Sequence, residues 1–241
     1  MIKIIKIALL ILLLAAIVFS IALTSIKMYV NASIKDKYAN QVSYWKETNK
    51  LLPSGSIVFL GDSLTEEFIL NEYFHEKYVL NRGIYGDTTT GVLGRMEESV
   101  YTLLPSKVFI LIGTNDLDKT NDKPEIIAER IKKIVENIRK NTPNTVIYLQ
   151  SVYPVNKTNN KKIKKIDIGK RNNINILKIN KALKILCDNE KIIYVDTYSH
   201  LIDKNGNLSL EYTIEGLHLN PTGYKKVASI LKPYLENWYF K

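Results

Sequence analysis

The chain has 241 residues, 46% of them hydrophobic and 24% charged, and carries a net charge of +10. That balance supplies one sizeable domain and excludes both a disordered chain and a polytopic membrane protein. A single cysteine, Cys187, excludes an internal disulfide, a Cys-rich zinc module and an iron–sulfur cluster, and three histidines make a multi-His metal site hard to build.

The N-terminus is different material from the rest. Lys3 and Lys6 precede an uncharged run, Ile7 to Ile26, whose only polar members are Ser20, Thr24 and Ser25. As a helix at about 1.5 Å per residue, this run reaches about 30 Å, one hydrocarbon core. The expected organisation is a membrane anchor over residues 1–26, a juxtamembrane linker over 27–36 and one globular domain over 37–241. A secretory h-region is shorter, roughly 7–15 residues. Ser20-Ile21-Ala22 is nevertheless a weak cleavage site, so a cleaved signal is the alternative. Lys27, Lys35 and Lys37 blunt the positive-inside comparison. A tail with Lys3 and Lys6 held in the cytoplasm puts the bulk of the chain outside.

Beyond the apolar run, Tyr38, Val42 and Trp45 mark an amphipathic helix from Lys37 to Leu52, broken by Pro53-Ser54-Gly55. A strand follows at Ser56–Leu60, then a helical pattern around Glu66 to Leu70. Tyr78–Leu80 is a second strand leading to the turn Arg82–Gly86, and Thr88 to Leu104 reads as a helix. Lys107–Ile112 is the third strand. Pro124 to Arg139 is a periodic helix with Pro124 at its first position behind an Asp122 cap. Thr145–Val152 is the fourth strand. Ile174 to Leu186 is a helix with Ile174, Leu177, Leu183 and Leu186 near one face. Ile192–Val195 is the fifth strand, and Pro221 to Tyr239 the closing helix. Short apolar strands alternating with helices predict a parallel sheet covered on both sides. Ligands in such folds sit beyond the carboxyl ends of the strands.

Those ends carry the chemistry. The first strand delivers Gly61-Asp62-Ser63-Leu64, a serine at a strand-to-helix turn, suited to a nucleophile or to a plain helix cap. Thr65 breaks the G-x-S-x-G elbow, which argues against an ordinary α/β-hydrolase. The second strand leads to Gly86, whose bare N–H can face a ligand or simply serve a tight turn. The third leads to Asn115, an amide able to donate to an oxyanion or to close an Asx-turn. Near the C-terminus, Glu215-Gly216-Leu217-His218 puts a carboxylate three residues before a histidine, on the loop feeding an Asn220-Pro221 helix start. His200, with Asp196 behind it, is the rival base, and His75 reads as a surface residue.

Taken together, the blocks holding Ser63, Gly86, Asn115 and His218 resemble the GDSL family, also called SGNH hydrolases, from about Val42 to the C-terminus. The resemblance implies a flavodoxin-like three-layer α/β/α sandwich and a serine esterase or acylhydrolase. It implies Ser63 as nucleophile, His218 as its base, and an oxyanion hole of the Ser63 and Gly86 N–H groups with the Asn115 amide. The family usually carries aspartate three places before the histidine, where this chain has Glu215. Such chemistry needs no metal or organic cofactor. The expected substrate is a small acyl ester: an acylated glycan, a lysolipid or a short-chain ester. A catalytically silent glycan- or lipid-binding module on the same fold is the alternative.

One stretch stands apart in charge. Lys157 to Lys184 holds ten basic residues against one acid, Asp167. It reads as a solvated face or as a patch for an anionic surface. No helix-turn-helix, finger or RNP-like signature accompanies it, so nucleic acid is not an expected partner.

Overall fold

In the computed structural model, which describes residues 2–190 and 192–236, the chain divides into two units, residues 1–47 and 48–241. The first is helix α1, Ile2–Thr48, continuous through positions 27–36. Its residues Leu9 to Leu14 are each 54–66% exposed. It is long and apolar enough to cross a membrane by length and composition.

The second unit opens with a 3-10 turn, Asn49–Leu51. Strand β1 (Ile57–Gly61) is followed by α2 (Ser63–Glu66), α3 (Leu70–Tyr73) and β2 (Val79–Gly83). Next come α4 (Thr89–Gly94), α5 (Met96–Ser99), β3 (Lys107–Leu111), α6 (Asp116–Lys119) and α7 (Pro124–Asn141). The chain continues with β4 (Val146–Gln150), α8 (Lys165–Ile168), α9 (Asn173–Glu190), β5 (Ile193–Val195), α10 (Tyr198–Leu201) and α11 (Pro221–Glu236). The expected closing helix to Tyr239 extends past the described residues.

Every strand pair is parallel, in the order β2-β1-β3-β4-β5. This is the flavodoxin-like order, whose switch point lies between β1 and β3. The register sets Gly61 beside both Gly83 and Leu111, so three chains leave the sheet side by side at one edge.

Side chains alternate between two cores. Val58, Leu60, Val108, Ile110, Ile147 and Leu149 pack beneath α4, α7 and α9. On the opposite face, Phe59, Phe109 and Tyr148 form a ladder of stacked rings, 4.8 and 4.5 Å between centroids, beneath α2, α3 and α11. Full burial of each such side chain contributes about 1.5–3 kcal/mol, which is why these strands read as unbroken apolar runs.

The departures from expectation have physical causes. The helix expected over 88–104 is broken at Arg95, which leaves helical geometry (φ −129°, ψ 22°) to turn its guanidinium inward. The helix expected around Glu66 to Leu70 becomes two single turns, α2 and α3. Asp122 does not cap α7, because its carboxylate pairs with Arg130 at 2.5 Å and Lys123 occupies the cap position. On α9 the buried face is Ile176, Ile179, Leu183 and Cys187, while Ile174 and Leu177 are exposed. Asn180 sits within that buried face, its amide paired with both the N–H and C=O of Val152, and a polar residue there conceals the stripe.

Candidate active site

At the end of β1, Asp62 rather than Ser63 caps α2, its Oδ1 accepting from the Leu64 N–H at 3.0 Å. Asp62 is fully buried, and burial pushes its pKa up to about 7 against the pull of that hydrogen bond. Ser63 is thereby left with its hydroxyl uncommitted to the helix. The Ser63 Oγ lies 3.1 Å from His218 Nε2.

His218 reaches Ser63 from a loop closed on itself. Thr213 pairs with Leu219 across the loop, and its hydroxyl donates to the His218 carbonyl (2.8 Å) while accepting from Gly216 N–H (2.7 Å). Gly216 has φ +110°, and a Cβ there would lie 2.6 Å from the Asn156 carbonyl, so only glycine fits this turn. Glu215 curls back. Its Oε1 accepts from the His218 backbone N–H at 3.0 Å and lies 2.6 Å from Nδ1. A carboxylate held low in pKa can only accept, so Nδ1 carries the proton and Nε2 presents its lone pair to Ser63. Burial alone lowers the His218 pKa; the Glu215 hydrogen bond and charge, with Glu67 and Asp62, outweigh it and hold the imidazole above its ordinary value. Burial likewise pushes Glu215 up, and its bonds to the His218 ring and backbone bring it below the usual range. The Tyr85 ring stacks on the imidazole at 5.8 Å and 19°, itself 58% exposed.

Beyond β2, Gly86 adopts φ +73°, and Lys119 donates from α6 to its carbonyl. Asp87 follows, buried and paired with Arg95 at 2.8 Å. The same guanidinium donates to Gly61 O (2.9 Å), Arg82 O (3.0 Å) and Ser99 Oγ (2.7 Å). Arg95 thus holds the ends of β1 and β2 together beneath the site.

Beyond β3, the Asn115 side chain makes no cap for α6. Its Nδ2 donates to Asp87 O at 2.9 Å, and its Oδ1 accepts from Arg171 Nη2 at 2.5 Å. Asp116, fully buried, accepts from Thr89 N–H (3.0 Å) and Thr89 Oγ1 (2.5 Å) and from Arg130 Nη1 (3.2 Å), docking α4 against the end of β3.

His218 therefore contacts both Ser63 and Glu215, and Gly86 and Asn115 both adjoin Asp87 on the same edge of the sheet. His200 is not part of this group: it is exposed on α10, and Asp196 Oδ1 accepts instead from the Ser199 N–H at 3.1 Å. His75 is exposed and lies 3.9 Å from Glu76. Among the described residues, no group of three or more His, Cys, Asp and Glu side chains is placed to hold a metal ion. Sequence reasoning passed over Arg95 and Arg171, because a charged residue in a polar pattern gives no sign of burial. Arg171 lies in the basic stretch yet is only 3% exposed, and burial lowers its pKa although Asp118 and Asp62 oppose this.

Comparison with known proteins agrees with this architecture. Residues 59–226 match the model of the GDSL-like lipase/acylhydrolase family. The chain is 27% identical over 181 residues to the human platelet-activating factor acetylhydrolase IB subunit alpha2, covering 73% of each protein. It is 31% identical over 221 residues to an N-acylneuraminate cytidylyltransferase of Escherichia coli O18:K1:H7, covering 89% of this chain and 49% of that protein. A solved structure from Streptococcus pneumonia, provisionally described as a platelet activating factor, superposes with a TM-score of 0.80 at 29% identity, covering 86% of this chain and 97% of that one. A parallel sheet in this strand order, with a family match over most of its length, makes the chain a member of the GDSL-like lipase/acylhydrolase family and a hydrolase.

Proposed function

We propose that the protein is a serine esterase that cleaves a small acyl ester through Ser63, His218 and Glu215. The observation that carries this reading is the unbroken relay from Glu215 Oε1 to His218 Nδ1 (2.6 Å) and from Nε2 to Ser63 Oγ (3.1 Å). His218 takes the Ser63 proton as Oγ attacks the ester carbonyl. The tetrahedral oxyanion is held by the Ser63 and Gly86 N–H groups and by the N–H of Asn115 Nδ2 not used on Asp87. Collapse breaks the bond to the alcohol, which leaves with the proton returned from His218. Water, deprotonated by the same imidazole, then releases the acid and restores Ser63. The cycle runs on these side chains and backbone N–H groups. The relative named for platelet-activating factor acetylhydrolysis supports a short acyl group. The match to an N-acylneuraminate cytidylyltransferase supports the acylated sugar already among the candidates.

A panel of p-nitrophenyl esters from C2 to C12 tests the assignment. Turnover should favour the short chains and vanish in Ser63→Ala without loss of folding, since a turn hydroxyl contributes little to stability. Near-wild-type turnover by Ser63→Ala would overturn the assignment, and a wild-type protein that turns over none of the esters would favour the silent binding module.

The apolar segment of α1 supports a further part of the proposal: residues 1–26 anchor the chain and residues 27–36 join the anchor to the hydrolase domain at 37–241, while Lys3 and Lys6, held in the cytoplasm, put that domain outside. Expressed in full, the protein should sediment with membranes, resist carbonate extraction and be digested by protease added to intact cells. Carbonate-soluble protein would identify a cleaved signal instead.

A further inference from the structure

Asn115 is held by two groups whose chemistry fixes the orientation of its amide. Arg171 Nη2 can only donate, so the atom it meets at 2.5 Å must be the amide oxygen. The Asp87 carbonyl can only accept, so the atom 2.9 Å from it must be the amide nitrogen. A flipped amide would set donor against donor and oxygen against oxygen. One N–H of Nδ2 remains after these two bonds are made.

We propose that Arg171 is a positioning residue for the oxyanion hole, orienting the Asn115 amide and drawing electron density from it so that its remaining N–H becomes a stronger donor. The inference rests on the oxyanion role proposed for Asn115. A hydrogen bond from a cation is about twice as strong as one between neutral groups, and bonds in series polarise one another. The developing charge on the substrate oxygen would therefore meet an amide already polarised by a buried guanidinium.

The division of labour within that guanidinium separates this role from simple anchoring. Nη1 holds the loop, donating to Ile168 O (2.9 Å) and Asp167 O (3.3 Å) and lying 3.4 Å from Asp118 Oδ2. Asp118 also accepts from the Lys170 N–H at 2.8 Å, so the residue before Arg171 is fixed as well. Nη2 is directed to Asn115. The Nε is buried with no partner among the described residues. For anchorage alone, an apolar side chain of similar volume would avoid desolvating a cation.

The test is a double-mutant cycle on a short p-nitrophenyl ester, with melting temperature followed throughout. Arg171→Met should lower kcat by about ten- to a hundredfold, less than removal of an oxyanion donor outright, and leave KM within about twofold. In an Asn115→Ala background the same substitution should lower kcat by less than about twofold, because the amide it acts through is gone. Arg171→Lys, which keeps the cation, should recover part of the loss, and the cycle can be run with it if Arg171→Met does not fold. Undiminished kcat in Arg171→Met, or an equal loss with and without Asn115, overturns the inference while leaving the esterase reading intact. If Asn115→Ala itself keeps full kcat, the oxyanion role of Asn115 falls, and this inference with it.

Discussion

Two acid–histidine pairs occur in the hydrolase domain with almost the same spacing in sequence: Asp196 with His200, at the short helix α10, and Glu215 with His218, on the loop before α11. In the first, the carboxylate turns to a nearby backbone N–H, Ser199, and the imidazole stays exposed. In the second, one carboxylate oxygen takes both the backbone N–H and the ring nitrogen of its histidine, within a loop tied by Thr213. The segment between β4 and α8 adds to that clamp, the backbone N–H of Asn156 donating to Gly216 O and that of Lys164 to Glu215 O, each at 2.8 Å. An acid near a histidine in sequence always has competing donors. The backbone around it decides which one it takes.

The contrast is broken most directly at the histidines. His218→Ala should lower kcat by on the order of 10⁴ or more, the scale on which a triad base acts. Steady-state turnover of an acetyl ester measures it, and equal losses in His200→Ala would erase the distinction between the pairs.

Glu215→Gln sharpens it. Turnover should fall by about 10²–10⁴, because an amide can favour the wrong imidazole tautomer. The pH profile carries a second signature. As the proposed base, His218 must be neutral to act, and its pKa is raised, so wild-type kcat/KM should fall away as pH drops through that raised value. Removing the Glu215 charge lowers the His218 pKa and must move the acidic limb to lower pH. A limb that stays in place, with turnover within about threefold of wild type, a barrier change of about 0.65 kcal/mol, would make Glu215 a bystander. The smallest effect expected is that of His200→Ala, whose turnover should stay within about twofold of wild type, as for a surface substitution.

Much of this was legible in the sequence, and the reason is burial. The five strands could be read to within a few residues because a sheet covered on both faces demands apolar residues at most positions of its central strands. Ser63, Gly86 and Asn115 lie beyond the ends of the first three strands and His218 on the loop before α11, and the resemblance to the GDSL family is what joined the four into one expected site. What escaped was the buried polar framework. Arg95 sits mid-pattern in what reads as one helix, and only its contacts with Gly61, Arg82 and Asp87 show why that helix breaks. Arg171 is one of ten basic residues in a run where the others are lysines, and composition gives no means to tell it from them. The exposed Ile174 and Leu177 mislead for the opposite reason, since apolar residues surround α9 on several sides.

The grip of a single Glu215 oxygen on both ends of His218 has a consequence for timing. Bound at backbone and ring, the histidine closes a small cycle that restricts rotation about both of its side-chain bonds. Immobilising a side chain at an interface costs about 0.5–1.5 kcal/mol of rotational entropy. Here that loss falls in folding, long before any ester arrives, so the imidazole is already aimed at Ser63 when the first encounter occurs.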